Sequence, residues 1–173
     1  MKTIITNHNK KVLNNPKKNN NNNCNYTNPS PCPLDGKCQT PTVVYKATVT
    51  CDNVNKEYIG ATEGKFKTRY ANHKTSLTHE KYKSSTTLSQ YYWAQKDDNK
   101  QPTIKFEILQ QTRPYQPGTR KCSLCNAERQ HILAHNKNNP AHCLNSRSEL
   151  TTTCRHRSKW KLKNAGKLSY WSQ

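Results

Sequence analysis

Eight cysteines in 173 residues constrain this chain most, because the bonds they form decide how its core is held together. They are Cys24, Cys32, Cys38, Cys51, Cys122, Cys125, Cys143 and Cys154. In a secreted protein such a set would pair into disulfides. Residues 1–13 contain no apolar block that ends in small residues, so we expect no secretory signal. The sequence therefore predicts reduced thiols inside the cell, where cysteines near histidines commonly bind metal ions.

One group of thiols in the second half of the chain has the spacing of a zinc site. The candidate ligands are a Cys-x-x-Cys pair and a later Cys-x-His pair, namely Cys122, Cys125, Cys154 and His156. Together they would give the four ligands of a tetrahedral structural zinc. His131 and Cys143 are competing candidates for the same positions.

A second group, formed by Cys24, Cys32 and Cys38, could hold another zinc ion with an unidentified fourth ligand. Cys51 stands apart, and we expect it to be a small buried hydrophobic side chain. Only 31% of the residues are hydrophobic, so the core is thin and a structural metal would help to stabilise it.

The charge of the chain indicates the class of its partner. Lys and Arg number 29 against 10 Asp and Glu, which gives a formal net charge of +19. Such an excess favours a polyanion, and we expect nucleic acid. The sequence has no run of about 18 apolar residues, so we expect no membrane-spanning helix and no membrane partner.

Composition divides the chain into three parts. Residues 1–30 are rich in Asn and Lys and have little to bury, so we expect a disordered basic tail. Residues 31–160 contain the periodic apolar patterns of a folded domain with cysteine-rich flanks. Residues 161–173 are expected to form a basic C-terminal tail.

Apolar periodicity in the middle part predicts both strands and helices. Alternating side chains over residues 43–49, a polar turn at 52–56 and residues 57–60 indicate a β-hairpin, and residues 104–108 indicate a third strand. Helices are expected over residues 63–77 with Thr62 as N-cap, over 87–95 and over 123–135. This order predicts an α+β fold, a small three-stranded antiparallel sheet flanked by three helices.

Three polar side chains occupy helical positions where they could bind a metal ion or a phosphate. Glu128 lies four residues from both Leu124 and Ile132, on the apolar stripe of the third helix. A carboxylate is costly there unless it is paired or binds a metal ion, so Glu128 is either a solvated edge residue or a metal ligand. Arg69 and His73 are also four residues apart, so one helix face presents a guanidinium and an imidazole, which could hold a phosphate.

Two tripeptides on the hairpin strands give this pattern a family resemblance. Val43-Val44-Tyr45 is followed after twelve residues by Tyr58-Ile59-Gly60, and the pair resembles the signature of GIY-YIG endonucleases. The resemblance continues in order through later positions that match the family, Arg69, Glu128 and Asn145. The first tripeptide departs from the signature, because two valines replace Gly-Ile, although its tyrosine is retained.

A narrower resemblance covers residues 24–161. The strings Cys-Pro-Leu-Asp-Gly-Lys-Cys at residues 32–38, Leu-Ser-Gln-Tyr-Tyr-Trp at 88–93 and Cys-Ser-Leu-Cys-Asn-Ala-Glu at 122–128 are similar to the endonuclease module of Penelope-like retroelements. In that family the module follows a reverse transcriptase. The resemblance therefore implies that the chain nicks target DNA in the nucleus, with a reverse transcriptase domain or element RNA as further partners.

The resemblance also implies a mechanism, since GIY-YIG enzymes cleave a DNA phosphodiester with one divalent metal ion. Glu128 would ligate Mg²⁺ or Mn²⁺, and Arg69 would contact the scissile phosphate. Tyr45 and Tyr58 would orient the attacking water or help to deprotonate it, with His73 as an alternative general base whose pKa lies nearer working pH.

Asn145 would position catalytic groups or DNA. The alternatives left open are a catalytically inactive, zinc-braced DNA-binding module, which the two valines make conceivable, and a secreted, disulfide-rich cationic protein. The binding module shares the charge, cysteines and fold of the nuclease, so only cleavage separates those two hypotheses.

Overall fold

The computed structural model describes residues 24, 32–119, 121–151, 153, 154 and 156. Apart from Cys24, the predicted tails at residues 1–30 and 161–173 lie outside this part of the chain. Within the described residues, no helix combines the length and the apolar character that crossing a bilayer would require.

Within the described residues, three strands and four α-helices follow one another. They are β1 (Pro41–Cys51), β2 (Val54–Lys65), α1 (Phe66–Thr78), α2 (Thr87–Asp97), β3 (Thr103–Gln111), α3 (Ser123–Asn138) and α4 (Arg147–Thr151). Single 3₁₀ turns cover Glu80–Tyr82 and Pro140–His142. The sheet is antiparallel with the order β2-β1-β3, so the predicted α+β fold is confirmed.

The central strand β1 is buried on both faces. On one face Val43 and Tyr45 pack with Phe66 at the start of α1, and Val49 packs with Leu88 of α2. On the other face, Val44 joins a cluster formed with α3. The sheet therefore lies between α1 and α2 on one side and α3 on the other, a layered arrangement that buries each apolar stripe.

The hairpin turn is tighter than predicted. Asp52 and Asn53 both have positive φ, 49° and 63°, between the paired ends of β1 and β2. Two such residues form the type I′ turn that matches strand twist, and Asp and Asn tolerate this backbone region well.

The first helix starts later than predicted, and the capping role expected of Thr62 is wrong. Thr62 lies in β2 opposite Val43, and α1 begins at Phe66 without a side-chain cap. Backbone carbonyls replace the cap, because Phe66 N donates to Thr40 O at 3.1 Å and Lys67 N to Cys38 O at 2.7 Å. Strand pairing outweighed the local capping signal.

The starts of α2 and α3 agree with the sequence prediction, and both helices run a few residues further than expected. Thr86 accepts a hydrogen bond from Ser89 N, and Ser89 Oγ accepts one from Thr86 N, so a reciprocal capping box fixes the start of α2.

Candidate functional site

A buried hydrogen-bonded cluster joins β1 to α1. Tyr45 Oη lies 2.7 Å from His73 Nε2 and accepts a hydrogen bond from Arg69 Nε at 2.9 Å. Arg69 and His73 are one helical turn apart, as the sequence predicted, so α1 presents both to the same phenol. Because Arg69 can only donate, the phenol proton is directed to a neutral His73.

The glycine of the second tripeptide makes room for that phenol. A Cβ built on Gly60 would lie 2.6 Å from Tyr45 Oη and 2.8 Å from Tyr45 Cζ. Any side chain at this position would push the phenol away from its partners. The Tyr58 ring lies on the same side, with its centroid 6.4 Å from that of His73.

Burial controls the protonation of both tyrosines. It raises the pKa of Tyr45 above its ordinary value, and the charge of Arg69 offsets only part of the rise. Burial likewise raises the pKa of Tyr58, with contributions from Tyr45 and Glu149. Both phenols are therefore neutral near pH 7.

Burial and then Arg69 lower the pKa of His73 to about 3. The prediction that His73 is a general base whose pKa lies nearer working pH is therefore wrong, because the residue is 2% exposed and the charge of Arg69 opposes its protonation. Burial alone would lower the pKa of Arg69, but Tyr45, Tyr58 and Glu128 raise it, so Arg69 keeps its charge.

Arg69 also lines a cleft of about 460 Å³ at the β2 edge of the sheet. Tyr58 comes from β2, Glu128 from α3 and Glu149 from α4. Glu128 is partly buried and acts electrostatically on Tyr45, Tyr58 and Arg69. The cleft thus combines one guanidinium, one phenol and three carboxylates, the third from Glu63 of β2, contributed by four elements.

Glu149 was not predicted from the sequence. Its Oε2 accepts hydrogen bonds from Asn145 Nδ2 at 2.8 Å and from Ser146 N at 3.1 Å, which orient the carboxylate. The available signals were its spacing of four residues from Asn145 and its place as the last acidic residue of the chain.

Asn145 itself binds the backbone of β2. Its Oδ1 accepts from Ile59 N at 2.8 Å and its Nδ2 donates to Ile59 O at 2.7 Å, as a neighbouring strand would. Next to it, Leu144 N donates to Glu57 O at 2.8 Å. Asn145 therefore fixes the segment that carries Glu149 against β2, beside the cleft.

The candidate zinc ligands of the second half come together, and this group is called the C-terminal thiol cluster. Its ligand atoms, from Cys122, Cys125, Cys154 and His156, all lie within 4.8 Å of one another. The Nδ1 of His156 is 3.5, 3.3 and 3.9 Å from the three Sγ atoms in chain order. Three thiols and an imidazole in this arrangement could hold a metal ion.

The C-terminal thiol cluster also forms part of the cleft wall, where Cys125, Cys154 and His156 join Glu128 and Arg69. Burial and the adjacent thiols raise the pKa of Cys125, so its thiolate needs a neighbouring cation.

The two competing candidates for zinc ligands make other contacts. His131 Nε2 is 3.0 Å from Gln110 Oε1, and Cys143 Sγ is 3.9 Å from Asn145 Oδ1.

The second predicted group, here the N-terminal thiol cluster, also converges. The Sγ atoms of Cys24, Cys32 and Cys38 lie within 4.8 Å of one another. Gly36 N donates to Cys32 Sγ at 3.1 Å. Burial opposes ionisation, but hydrogen bonds from Leu34 and Gly36 lower the pKa of Cys32. These three thiols could likewise hold a metal ion, with a fourth ligand from elsewhere.

The eight cysteines all lie in the described part of the chain, and none of them is in a disulfide there. The Sγ atoms of Cys24 and Cys38 are 3.4 Å apart and those of Cys125 and Cys154 3.6 Å apart. A disulfide requires about 2.05 Å. Cys51 is 4% exposed, as predicted for a buried thiol.

Comparisons of this chain with protein-family models, with curated proteins and with solved structures found no match. Function is therefore inferred from the geometry of the chain's own residues. Of the predicted site residues, Tyr58, Arg69 and Glu128 line one cleft. Tyr45 and His73 belong to the hydrogen-bonded cluster next to it, and Asn145 lies beside it.

Proposed function

We propose that this chain is a metal-dependent DNA endonuclease of the GIY-YIG type, which hydrolyses phosphodiester bonds in the cleft at the β2 edge. The observation that carries the proposal is the convergence of Arg69, Tyr58 and Glu128 on one cleft, with Tyr45 hydrogen-bonded beneath it. These residues are remote in sequence, and together they supply a guanidinium that can bind phosphate, a carboxylate that can ligate a divalent cation and a phenol that can orient water.

Arg69 is the phosphate-binding residue in this proposal. Its Nε is held by Tyr45, which leaves the terminal guanidinium nitrogens for the phosphate oxygens. The site lies in a partly buried cleft, where a fixed positive charge stabilises developing negative charge more than it would in water.

The oxygen donors of the cleft fit a hard divalent cation. Glu128 and Glu149 supply carboxylates, and Mg²⁺ or Mn²⁺ commonly binds one or two carboxylates together with substrate phosphate and water. When bound, such an ion would lower the pKa of an attacking water and neutralise charge on the leaving oxygen.

Tyr45 and His73 position the reacting groups rather than accept the proton. Because His73 is neutral, it accepts the hydrogen bond of Tyr45 and fixes the phenol. The phenol in turn fixes Arg69, and Tyr58 lines the cleft where the attacking water would be oriented. Asn145 acts through Glu149 and β2, which makes it a positioning residue.

For the metal ions of the thiol clusters we propose structural zinc. Three thiols and one imidazole in the C-terminal thiol cluster would supply all four ligands of a tetrahedral ion, the ligand set of many structural zinc sites. Zinc there would stabilise one wall of the cleft, apart from the oxygen donors that suit Mg²⁺. The role in a Penelope-like retroelement, with nuclear DNA as target and a reverse transcriptase or element RNA as partner, also remains a proposal.

A second candidate function is a catalytically inactive, zinc-braced DNA-binding module. One observation favours it. Burial holds Tyr45, Tyr58 and His73 in their neutral forms, so none of the three has a pKa near 7. The net charge of +19 would support DNA binding without cleavage.

Conversion of supercoiled plasmid to nicked or linear DNA, with Mg²⁺ or Mn²⁺, tests the nuclease. We compare the wild type with Glu128→Gln, which removes the charge at nearly constant shape. The control is Glu80→Gln, because Glu80 is exposed and paired with Lys83 away from the cleft.

We expect wild type and Glu80→Gln to cut, and Glu128→Gln to lose at least about 100-fold in rate while it retains DNA binding. Equal cutting by Glu128→Gln would refute the assigned site. Salt-sensitive DNA binding without cutting by any of the three proteins would favour the binding module.

A further inference from the structure

A second groove borders the cleft along α1. It has a volume of about 380 Å³ and is lined by side chains of α1 and of the segment that leads to α2. We call it the Tyr82 groove, because the Tyr82 ring lines it and is 42% exposed. Arg69 and Asn72 line both the cleft and the Tyr82 groove, so the two depressions meet at these side chains.

The two depressions differ in charge. The cleft is lined by three acidic residues, Glu63, Glu128 and Glu149. Among the described residues that line the Tyr82 groove, none is acidic. Without a bound divalent cation, a nucleic acid strand that places one phosphate on Arg69 would meet repulsion if it continued past the three carboxylates, and Glu63 would still repel it when Glu128 and Glu149 hold an ion. The Tyr82 groove gives the same strand a path without that repulsion.

We propose that the Tyr82 groove binds one unpaired nucleotide of the DNA strand next to the phosphate on Arg69, with its base stacked on Tyr82. The inference rests on the proposed function, and it adds that the substrate is locally unpaired where it enters the site. Its occupant is a nucleotide rather than a peptide or a lipid because the groove begins at the phosphate-binding arginine.

The chemistry of the groove fits this occupant. An exposed aromatic ring can stack on any base, and rings next to cations recur where proteins bind single strands. Lys81 Nζ lies 4.8 Å from the centre of the Tyr82 ring, so a cation accompanies this ring too. Asn72, Thr75 and Ser85 also line the groove and can hydrogen-bond to base edges or sugar oxygens.

The size of the groove is also suitable. Its volume lies within the range of about 300–1,000 Å³ that is usual for small-molecule sites. It is therefore large enough for one nucleotide, while the duplex on either side would remain outside. Extrusion or fraying of one nucleotide costs energy, which a stacking partner in the groove would partly offset.

The test measures binding in the absence of Mg²⁺ and Mn²⁺, so that no DNA is cut. Fluorescence anisotropy would compare a labelled single-stranded oligonucleotide of roughly 12 nucleotides with the matching duplex. The variants are Tyr82→Ala and Tyr82→Phe. The control is Leu133→Ala, because Leu133 is also a large exposed apolar side chain, at 55% exposure against 42% for Tyr82, but lies on α3 away from the groove.

We expect Tyr82→Ala to weaken single-strand binding about tenfold or more, because one stacked base is lost, and to change duplex binding less than about twofold. Tyr82→Phe keeps the ring and should retain affinity, as should Leu133→Ala. The salt dependence of binding should stay unchanged, because no phosphate contact is removed.

Wild-type affinity of Tyr82→Ala for the single strand, or an equal loss for strand and duplex, would overturn the inference. So would a wild-type protein that does not bind the single strand. Plasmid cleavage is measured separately. If the wild type cuts DNA and Tyr82→Ala binds the single strand as tightly as the wild type does, the groove proposal is refuted and the nuclease proposal stands. If single-strand binding depends on Tyr82 but no DNA is cut, the nuclease proposal is refuted and the groove proposal stands.

Discussion

Removal of the Asn145 side chain should destabilise the protein far more than its place in a short segment suggests. In Asn145→Ala the Ile59 N–H and C=O lose both of their partners, at 2.8 and 2.7 Å, in a residue that is 2% exposed. Glu149 loses one of its two donors as well. A buried backbone group without a partner costs about 1–3 kcal/mol, and water entering the gap would recover part of this.

We therefore expect Asn145→Ala to lower the free energy of unfolding by about 2–4 kcal/mol, a large share of the total for a domain of this kind. Urea unfolding followed by circular dichroism, in zinc-containing buffer for every variant, measures the change. Asn136→Ala is the matched control, because Asn136 is exposed on α3, and it should stay within about 0.5 kcal/mol of the wild type.

Asn145→Gln tests whether the position of the amide group matters as well as its presence. It keeps the amide but adds a methylene, so the paired contact with Ile59 cannot form without displacing the chain. We expect it to lose nearly as much stability as Asn145→Ala. A loss below about 1 kcal/mol for both variants would contradict the reasoning that this side chain substitutes for a neighbouring strand.

Two further predictions concern metal and pH. The purified protein should contain zinc, measured by elemental analysis. The double variant Cys125→Ser and Cys154→Ser should lose about one equivalent of zinc, whereas the control Cys51→Ala should keep the wild-type zinc content. Equal zinc in the wild type, the double variant and the control would argue against a metal site in the C-terminal thiol cluster. Because the pKa of His73 falls from its ordinary value near 6.5 to about 3 on folding, the unfolded chain binds more protons and stability is lost as pH falls through that interval. His73→Gln should flatten this loss in urea titrations between pH 7 and 4, and parallel profiles for the two proteins would refute the assignment.

Much of the fold was predictable because it depends on local periodicity. Alternation identifies β1 and β3, and helical spacing places Arg69 and His73 on one face of α1. Spacing also predicted the four ligands of the C-terminal thiol cluster, although it left His131 and Cys143 as competitors, since a Cys-x-x-Cys pair at a helix start presents both thiols to one side.

What the sequence did not reveal depends on contacts between distant segments. Thr62 has the local signature of a helix cap, but pairing with Val43 keeps it in β2. The low pKa of His73 comes from its burial beneath Tyr45, which spacing along α1 does not show. Glu149 reaches the cleft on a segment that Asn145 helps attach to β2, 86 residues away.

The attachment at Asn145 has a consequence for motion. The segment that follows it carries Glu149, Cys154 and His156, which supply one carboxylate of the cleft and half the ligands of the C-terminal thiol cluster. Among the described residues, the backbone pairing that joins this part of the chain to β2 is brief, one bridge between Glu57 and Cys143, just before Asn145. Such a segment can detach as one unit at less cost than global unfolding, and amide exchange would detect that opening. Detachment would dismantle the cleft and the thiol cluster together, so release of zinc and loss of the site would share one rate.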